Sequence, residues 1–241
     1  MFTTNSFQKT LSRTISFRGK GLHSGLDVEV KLKPSIANTG IVFIRTDLGD
    51  KVEINANYRN VSNSLLCTTL KNESSGVKVF TVEHLLATLS GRGIDNVLIE
   101  IDGDEVPVLD GSSNEFDQLI RSEDIIDLNT YRKYLVIKRK VEIIDGERNF
   151  KLEPYNGFKI DVSINFPEPI GYENIKLNSN IHSIYKDVFK ARTFCYYSDV
   201  RSMQEKGLAK GGSLENAIVI NNKEIMNNDG LRYKDEFVRH K

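Results

Sequence analysis

The chain has 241 residues, enough for one large domain or two of ordinary size, and 39% hydrophobic with 27% charged residues fits a soluble globular protein with a real core. Lys plus Arg equals Asp plus Glu, 33 of each, so net charge points to neither nucleic acid nor an acidic membrane surface. Two cysteines, Cys67 and Cys195, are too few for a disulfide framework, which makes a reducing cytosol the expected compartment; no apolar run approaches the roughly 20 residues of a membrane helix, and "MFTTNSFQKTLSRTISF" lacks the uninterrupted apolar stretch of a secretory leader.

In chain order, "GLDVEVKLKP" alternates Leu26, Val28, Val30 and Leu32 against polar neighbours, the period of a half-buried strand, and Pro34 stops it. "GIVFIR" reads as a second strand. In "TVEHLLATLSG", Val82, Leu85, Leu86 and Leu89 recur at helical spacing, with Thr81 able to cap the start and Gly91 the end. "NVLIEI" is a strand and "EFDQLIRSEDI" a helix or helical turn. From Tyr131 the cycle restarts. "KYLVIKRKVEII" and "RNFKLEP" read as strands around the turn "DGE", and "FKIDVSINF" as another. "SIYKDVFKARTF" fits either type, "SDVRSMQEKG" is helical, and "NAIVIN" is a strand.

The restart carries a repeat. "KLKP" at Lys31–Pro34 returns as "KLEP" at Lys151–Pro154, 120 residues later, and "DNVLIEI" from Asp95 returns as "ENAIVIN" from Glu215 at the same offset. Two echoes at one offset point to a duplicated β/α unit with its junction near residues 127–133. A single mixed domain with two similar strands is the other reading.

Several residues could carry chemistry. Glu83 and His84 lie off the apolar stripe of their helix, beside Ala87 and Thr88, whose small size would let another segment or a substrate come close. A Glu beside a His can supply a general base and a metal ligand, though on the pair alone polar residues on a solvent face are the plainer reading. His240 would share a helical face with a partner three residues past Lys241, or be exposed on a frayed end. His23 sits among glycines in "GKGLHSG". "KGGS" at Lys210–Ser213 reads as a tight turn, Asp110 in "EVPVLDGSS" as a turn residue, and Cys67 in "LLCTTL" as a packed thiol.

Taken together, "GKGLHSG", "LLCTTL", "TVEHLLATLSGRGIDN", "EVPVLDGSS", "KARTF", "GLAKGGSLENAIV" and "DGLRYKDEFVRHK" resemble, in this order, the zinc-dependent UDP-3-O-acyl-N-acetylglucosamine deacetylases of Gram-negative bacteria, which carry out the committed step of lipid A synthesis. The resemblance runs from about Ser12 to the last residue. It implies an α+β fold of two similar β/α sandwich domains, residues 1–128 and 129–241, each a sheet packed on two helices, with the site between them. A second-domain insert from about Phe194 to Ala217 would form a passage for the substrate's acyl chain.

The resemblance also implies Zn2+ held by His84 and His240, Glu83 as general base, and Thr193 as the hydroxyl that helps hold the oxyanion. Leu66, Cys67 and Phe194 would line the substrate site, and Lys241 would lie near the nucleotide phosphates. The aspartate of the family's "HKxxD" pattern and its catalytic histidine have no counterpart, so the second domain is expected to be incomplete and the chain, as given, weak in zinc and inactive. Cys195 and Tyr196 stand where the family usually has glycine and phenylalanine. The partner implied is a UDP-linked acylated glucosamine, with no nucleic acid, no transmembrane segment, transient contact with the inner membrane, a monomeric state and a cytoplasmic location. The alternatives are an inactive relative that only binds the nucleotide-sugar lipid, if Lys241 is the natural C-terminus, and an unrelated cytosolic β/α binding protein.

Overall fold

The computed structural model describes residues 6–63, 65–178 and 181–241; residues 1–5, part of the N-terminus read above as leaderless, lie outside the described residues. The first half runs β1 (Phe7–Leu11), β2 (Ile15–Lys20), β3 (Asp27–Pro34), β4 (Ile41–Arg45), β5 (Val52–Asn55), β6 (Val61–Asn63), β7 (Thr69–Lys71), β8 (Lys78–Val79), α1 (Glu83–Arg92), β9 (Val97–Ile101), α2 (Asn114–Leu119) and β10 (Ile125–Tyr131). The second runs β11 (Val141–Asp145), β12 (Arg148–Leu152), β13 (Lys159–Phe166), β14 (Gly171–Asn178), α3 (Ile181–Val188), β15 (Phe194–Tyr196), α4 (Tyr197–Glu205), β16 (Ile218–Asn221), β17 (Glu224–Ile225) and α5 (Glu236–His240). The class is α+β.

Alternation makes the main sheet. Val28, Val30 and Leu32 of β3 point one way and are buried, while Glu29, Lys31 and Lys33 point the other. Leu26, read as part of that alternation, lies before the strand and is exposed. The five strands stand in the order β2-β3-β9-β4-β5, with β4 and β9 parallel and every other pairing antiparallel. Their inward side chains form one core with Val82, Leu85 and Leu89 around α1 and with Phe116 of α2. Strands β1 and β10 pair antiparallel and bring the two ends of this half together.

The second half is built differently. β11–β12 and β13–β14 are separate two-stranded hairpins, and β15-β16-β17 form a small sheet. Ile170, Ile218, Ile220 and Phe237 make a small core there, with Phe194 and Tyr196 packed on it. Both echoes fall on comparable elements: residues 31–34 and 151–152 end the second strand of a hairpin, and β9 and β16 each have one parallel and one antiparallel neighbour. The pairing differs, since β3 is bonded to β9 whereas β12 and β16 lie in different sheets.

Three local expectations change. Thr81 does not cap α1: buried Glu105 claims its hydroxyl at 2.9 Å, and the helix begins after Val82 with no side-chain cap. Gly91 does not end α1. The helix runs on to Gly93, whose φ of 70° suits glycine and whose N–H donates to the Leu89 and Ser90 carbonyls. Of "KYLVIKRKVEII", only residues 141–144, the start of the strand Val141–Asp145, are strand; residues 133–140 form no regular element.

Candidate active site

The amino end of α1 and the carboxyl end of α5 meet across the two halves. His84 Nε2 lies 3.4 Å from His240 Nδ1, with the rings edge-on and 5.2 Å between centroids. Phe194 of β15 stacks edge-on against both His240 and Phe237 of α5, at 5.9 and 5.0 Å. The Lys241 ammonium lies 5.2 Å from the centre of the Phe194 ring.

The side of α1 that a helical wheel assigns to solvent is therefore covered by the second half. His84 and Thr88 are buried and Glu83 is half-buried. The Glu83 carboxylate accepts a 3.0 Å hydrogen bond from the Thr68 N–H, which ties it to the loop carrying Leu66 and Cys67. Leu66 has a φ of 70° and is exposed. Cys67 is half-buried, and burial pushes its thiol pKa up, so it is a poor nucleophile.

Desolvation sets the charge states. Burial raises the Glu83 pKa above the ordinary carboxylate value, opposed by hydrogen bonds from its own and the Thr68 N–H and by the Lys241 charge. Burial lowers His84 to about 4, with Asp110 pulling the other way. His240 is pushed well below the ordinary histidine value by desolvation, then by His84 and Lys241. Both imidazoles are thus neutral at pH 7, the form that ligates metals. His84 Nδ1 is buried without a hydrogen-bond partner among the described residues.

That pair fits a metal ion. Two nitrogens bound at about 2.0–2.1 Å to one tetrahedral ion stand roughly 3.3 Å apart, close to the 3.4 Å observed. Among the described residues no group of three or more His, Cys, Asp or Glu side chains is arranged to hold such an ion.

Beside the histidines a cavity of about 260 Å³ is lined by Leu66, Thr193, Phe194, Cys195, Met203 and Val219 among others. Cys195 faces it, whereas Tyr196 directs its hydroxyl to the Pro167 carbonyl, 2.6 Å away. His23 also lines it, and neither of its ring nitrogens has a partner among the described residues. Its loop is held by Glu105, which accepts from the His23 and Ser24 N–H groups at 2.9 and 2.7 Å. The backbone of Thr193 is fixed from both halves: its N–H donates to the Gly111 carbonyl and its carbonyl accepts from Ile218, each at 2.8 Å.

Sequence reasoning missed the ion pairs behind the site. Asp110 does serve its own turn, accepting from Ser112, but it also takes a 2.7 Å bond from Arg232 in the other half. Buried Arg192 donates to buried Glu236 at 2.9 Å. Burial disfavours the Arg192 charge, yet Glu236 and Asp229 outweigh it and raise its pKa above the usual arginine value. The only local signal was a charge wedged between Ala191 and Thr193, and its partner lies 44 residues on.

The family model described as UDP-3-O-acyl N-acetylglycosamine deacetylase matches residues 8–241. The chain is 45% identical over 237 residues to the UDP-3-O-acyl-N-acetylglucosamine deacetylase of Pasteurella multocida, covering 97% of this chain and 77% of that protein. It is 44% identical to the protein of that name from Haemophilus influenzae strain 86-028NP, over the same shares. With the one from Blochmanniella pennsylvanica it shares 43% identity, over 97% of this chain and 80% of the relative. A match over almost the whole chain shows that it belongs to the UDP-3-O-acyl N-acetylglycosamine deacetylase family.

Proposed function

We propose that this protein removes the N-acetyl group from UDP-3-O-acyl-N-acetylglucosamine, as part of lipid A biosynthesis in the cytoplasm of a Gram-negative cell. The observation that carries the reading is the meeting of Glu83 and His84 on α1 with His240 on α5, 156 residues apart, beside an apolar cavity. His84 and His240 would hold Zn2+. Bound there, the ion would act as a Lewis acid on the acetyl carbonyl and lower the pKa of a bound water.

The chain's own residues do the rest. Glu83 accepts a proton as water adds to the acetyl carbon and returns it as the C–N bond breaks. The Thr193 hydroxyl donates to the oxygen that gains charge, from a backbone fixed in both halves. The C–N bond breaks, the proton passes to the amine nitrogen, and acetate and a free amine result. Leu66 and Phe194 exclude water and, with Cys195, seat the acyl chain in the cavity, while Cys67, next to Leu66 in the chain, is not among the residues lining it. Lys241 offers a cation to the nucleotide phosphates. The protein is read as a monomer whose contact with the inner membrane is transient.

The architecture supports a duplicated origin, with similar β/α sandwich units over residues 1–128 and 129–241 and the site at their junction. What supports it is the matched character of the echoed strands. Zinc content and acetate release, measured together with UDP-3-O-acyl-N-acetylglucosamine as substrate, test the function. Acetate release that depends on Zn2+ supports it. Substrate bound by zinc-loaded protein with no acetate released would leave the binding-only alternative.

A further inference from the structure

The two histidines come from separate halves, and a chain of charged groups joins the halves behind them. We propose that Asp110, Arg232, Glu236 and Arg192 form a positioning chain that sets His240 against His84. The inference rests on reading those histidines as the metal ligands.

Helix α5 carries His240 to the site. Its first residue, Glu236, is wholly buried, and its carboxylate accepts from the Arg192 N–H and Nε at 3.0 and 2.9 Å, from Arg192 Nη2 at 3.3 Å, and from the Arg232 N–H at 2.5 Å. A buried carboxylate is tolerated only where such donors surround it, so α5 can dock at one depth and one rotation. His240 lies four residues on, on the same helical face. Fixing Glu236 therefore fixes the direction of the His240 ring.

Arg232 carries the constraint to the first half. Its guanidinium donates to Asp110 at 2.7 Å, to Ser112 at 3.3 Å and to the Lys190 carbonyl at 3.1 Å. The turn begun by Asp110 continues to Ser113, whose hydroxyl donates to the His84 carbonyl at 3.1 Å, beside the 2.9 Å bond that Thr88 makes to the same oxygen. The loop also accepts the Thr193 N–H at Gly111. Bonds from this loop thus reach His84 and Thr193 directly, and the Glu236 bonds act on His240 through helix α5.

The Asp110–Arg232 link is placed for a positioning role. Ion pairs between fully exposed side chains add little and set no geometry, and this pair is not of that kind, its Arg232 and Asp110 side chains being 28% and 10% accessible. Partners behind metal ligands, in contrast, set their geometry, and losing one commonly costs about 10–100-fold in metal affinity.

The test uses Arg232→Gln, Asp110→Asn and the double variant. Zn2+ affinity is read by competition with a chromophoric chelator, and carbethoxylation of His240 by diethyl pyrocarbonate is read by peptide mass spectrometry. Each single variant is expected to stay folded, to bind Zn2+ about 10–100-fold more weakly and to expose His240 to faster modification. The double variant should lose no more than the worse single. Folded single variants with parental affinity and parental His240 reactivity would overturn the proposal, as would losses that add in the double. If Arg232→Gln does not fold, Asp110→Asn decides by the same two readouts. If the parent binds no Zn2+ but His240 reactivity rises as expected, the positioning chain stands and only the metal reading falls.

Discussion

Glu83 and His84 are neighbours in sequence, and the roles proposed for them are separable. In the enzyme, Glu83→Ala should leave folding and zinc content nearly unchanged and cut turnover by a factor on the order of 10² to 10⁴, the usual worth of a general base. His84→Ala should lose the metal. Metal analysis beside a deacetylation assay checks both, and a Glu83 variant with parental turnover would remove that residue from the chemistry. The pair was visible in the sequence as polar residues off an apolar stripe, but the stripe describes only packing within the first half. That the opposite side of α1 is covered by α3 and α5 depends on contacts more than ninety residues away, which local periodicity does not record. Arg192 and Glu236 were illegible for the same reason. A buried ion pair leaves no pattern when its members are 44 residues apart.

Helix α1 was legible as an element, and less so at its ends. Its stripe predicted a helix, and Val82, Leu85 and Leu89 are buried. Both end signals were displaced by tertiary demands, Thr81 by Glu105 and Gly91 by α3. A β-carbon at Gly91 would overlap the Phe189 ring and the inner atoms of Tyr185, while Ser90 and Tyr185 share a 2.7 Å hydrogen bond next to it. Helix propensity alone favours Ala over Gly by about 1 kcal/mol. Overpacking a close contact costs about 1–3 kcal/mol, and Tyr185 cannot swing clear because the overlap is at the root of its side chain. Gly91→Ala is therefore expected to be neutral to destabilising, and Gly91→Val clearly destabilising. Thermal or denaturant unfolding reads this directly; a stabilised Gly91→Ala protein would mean that α1 and α3 do not pack as described.

On the scale of the whole molecule the halves are unequal. The first half has a continuous core of sheet, α1 and α2, whereas among the described residues the second has a smaller core cluster of Ile170, Ile218, Ile220 and Phe237, with other buried side chains such as Phe189 and Val238 outside it. The echoed strands revealed a restart of the pattern, because strand periodicity survives in sequence. They could not reveal which strands pair, since pairing is set by packing partners rather than by period. This inequality makes a prediction for amide hydrogen exchange. Every residue of β11 is exposed, and β12 is exposed except at Leu152; a lone two-stranded hairpin is marginal in water. Amides of 141–152 should exchange by local opening, orders of magnitude faster than those of β3 and β9, whose inward side chains are buried and which open only when the whole sheet unfolds. Strands β15 and β16 should fall between, held by their parallel ladder and by the Thr193 bond to Gly111. Peptide-resolved exchange measured by mass spectrometry separates the three classes. Protection over 141–152 equal to that over 97–101 would mean that the hairpin is covered in solution and that the second half is more cooperative with the first than its small core implies.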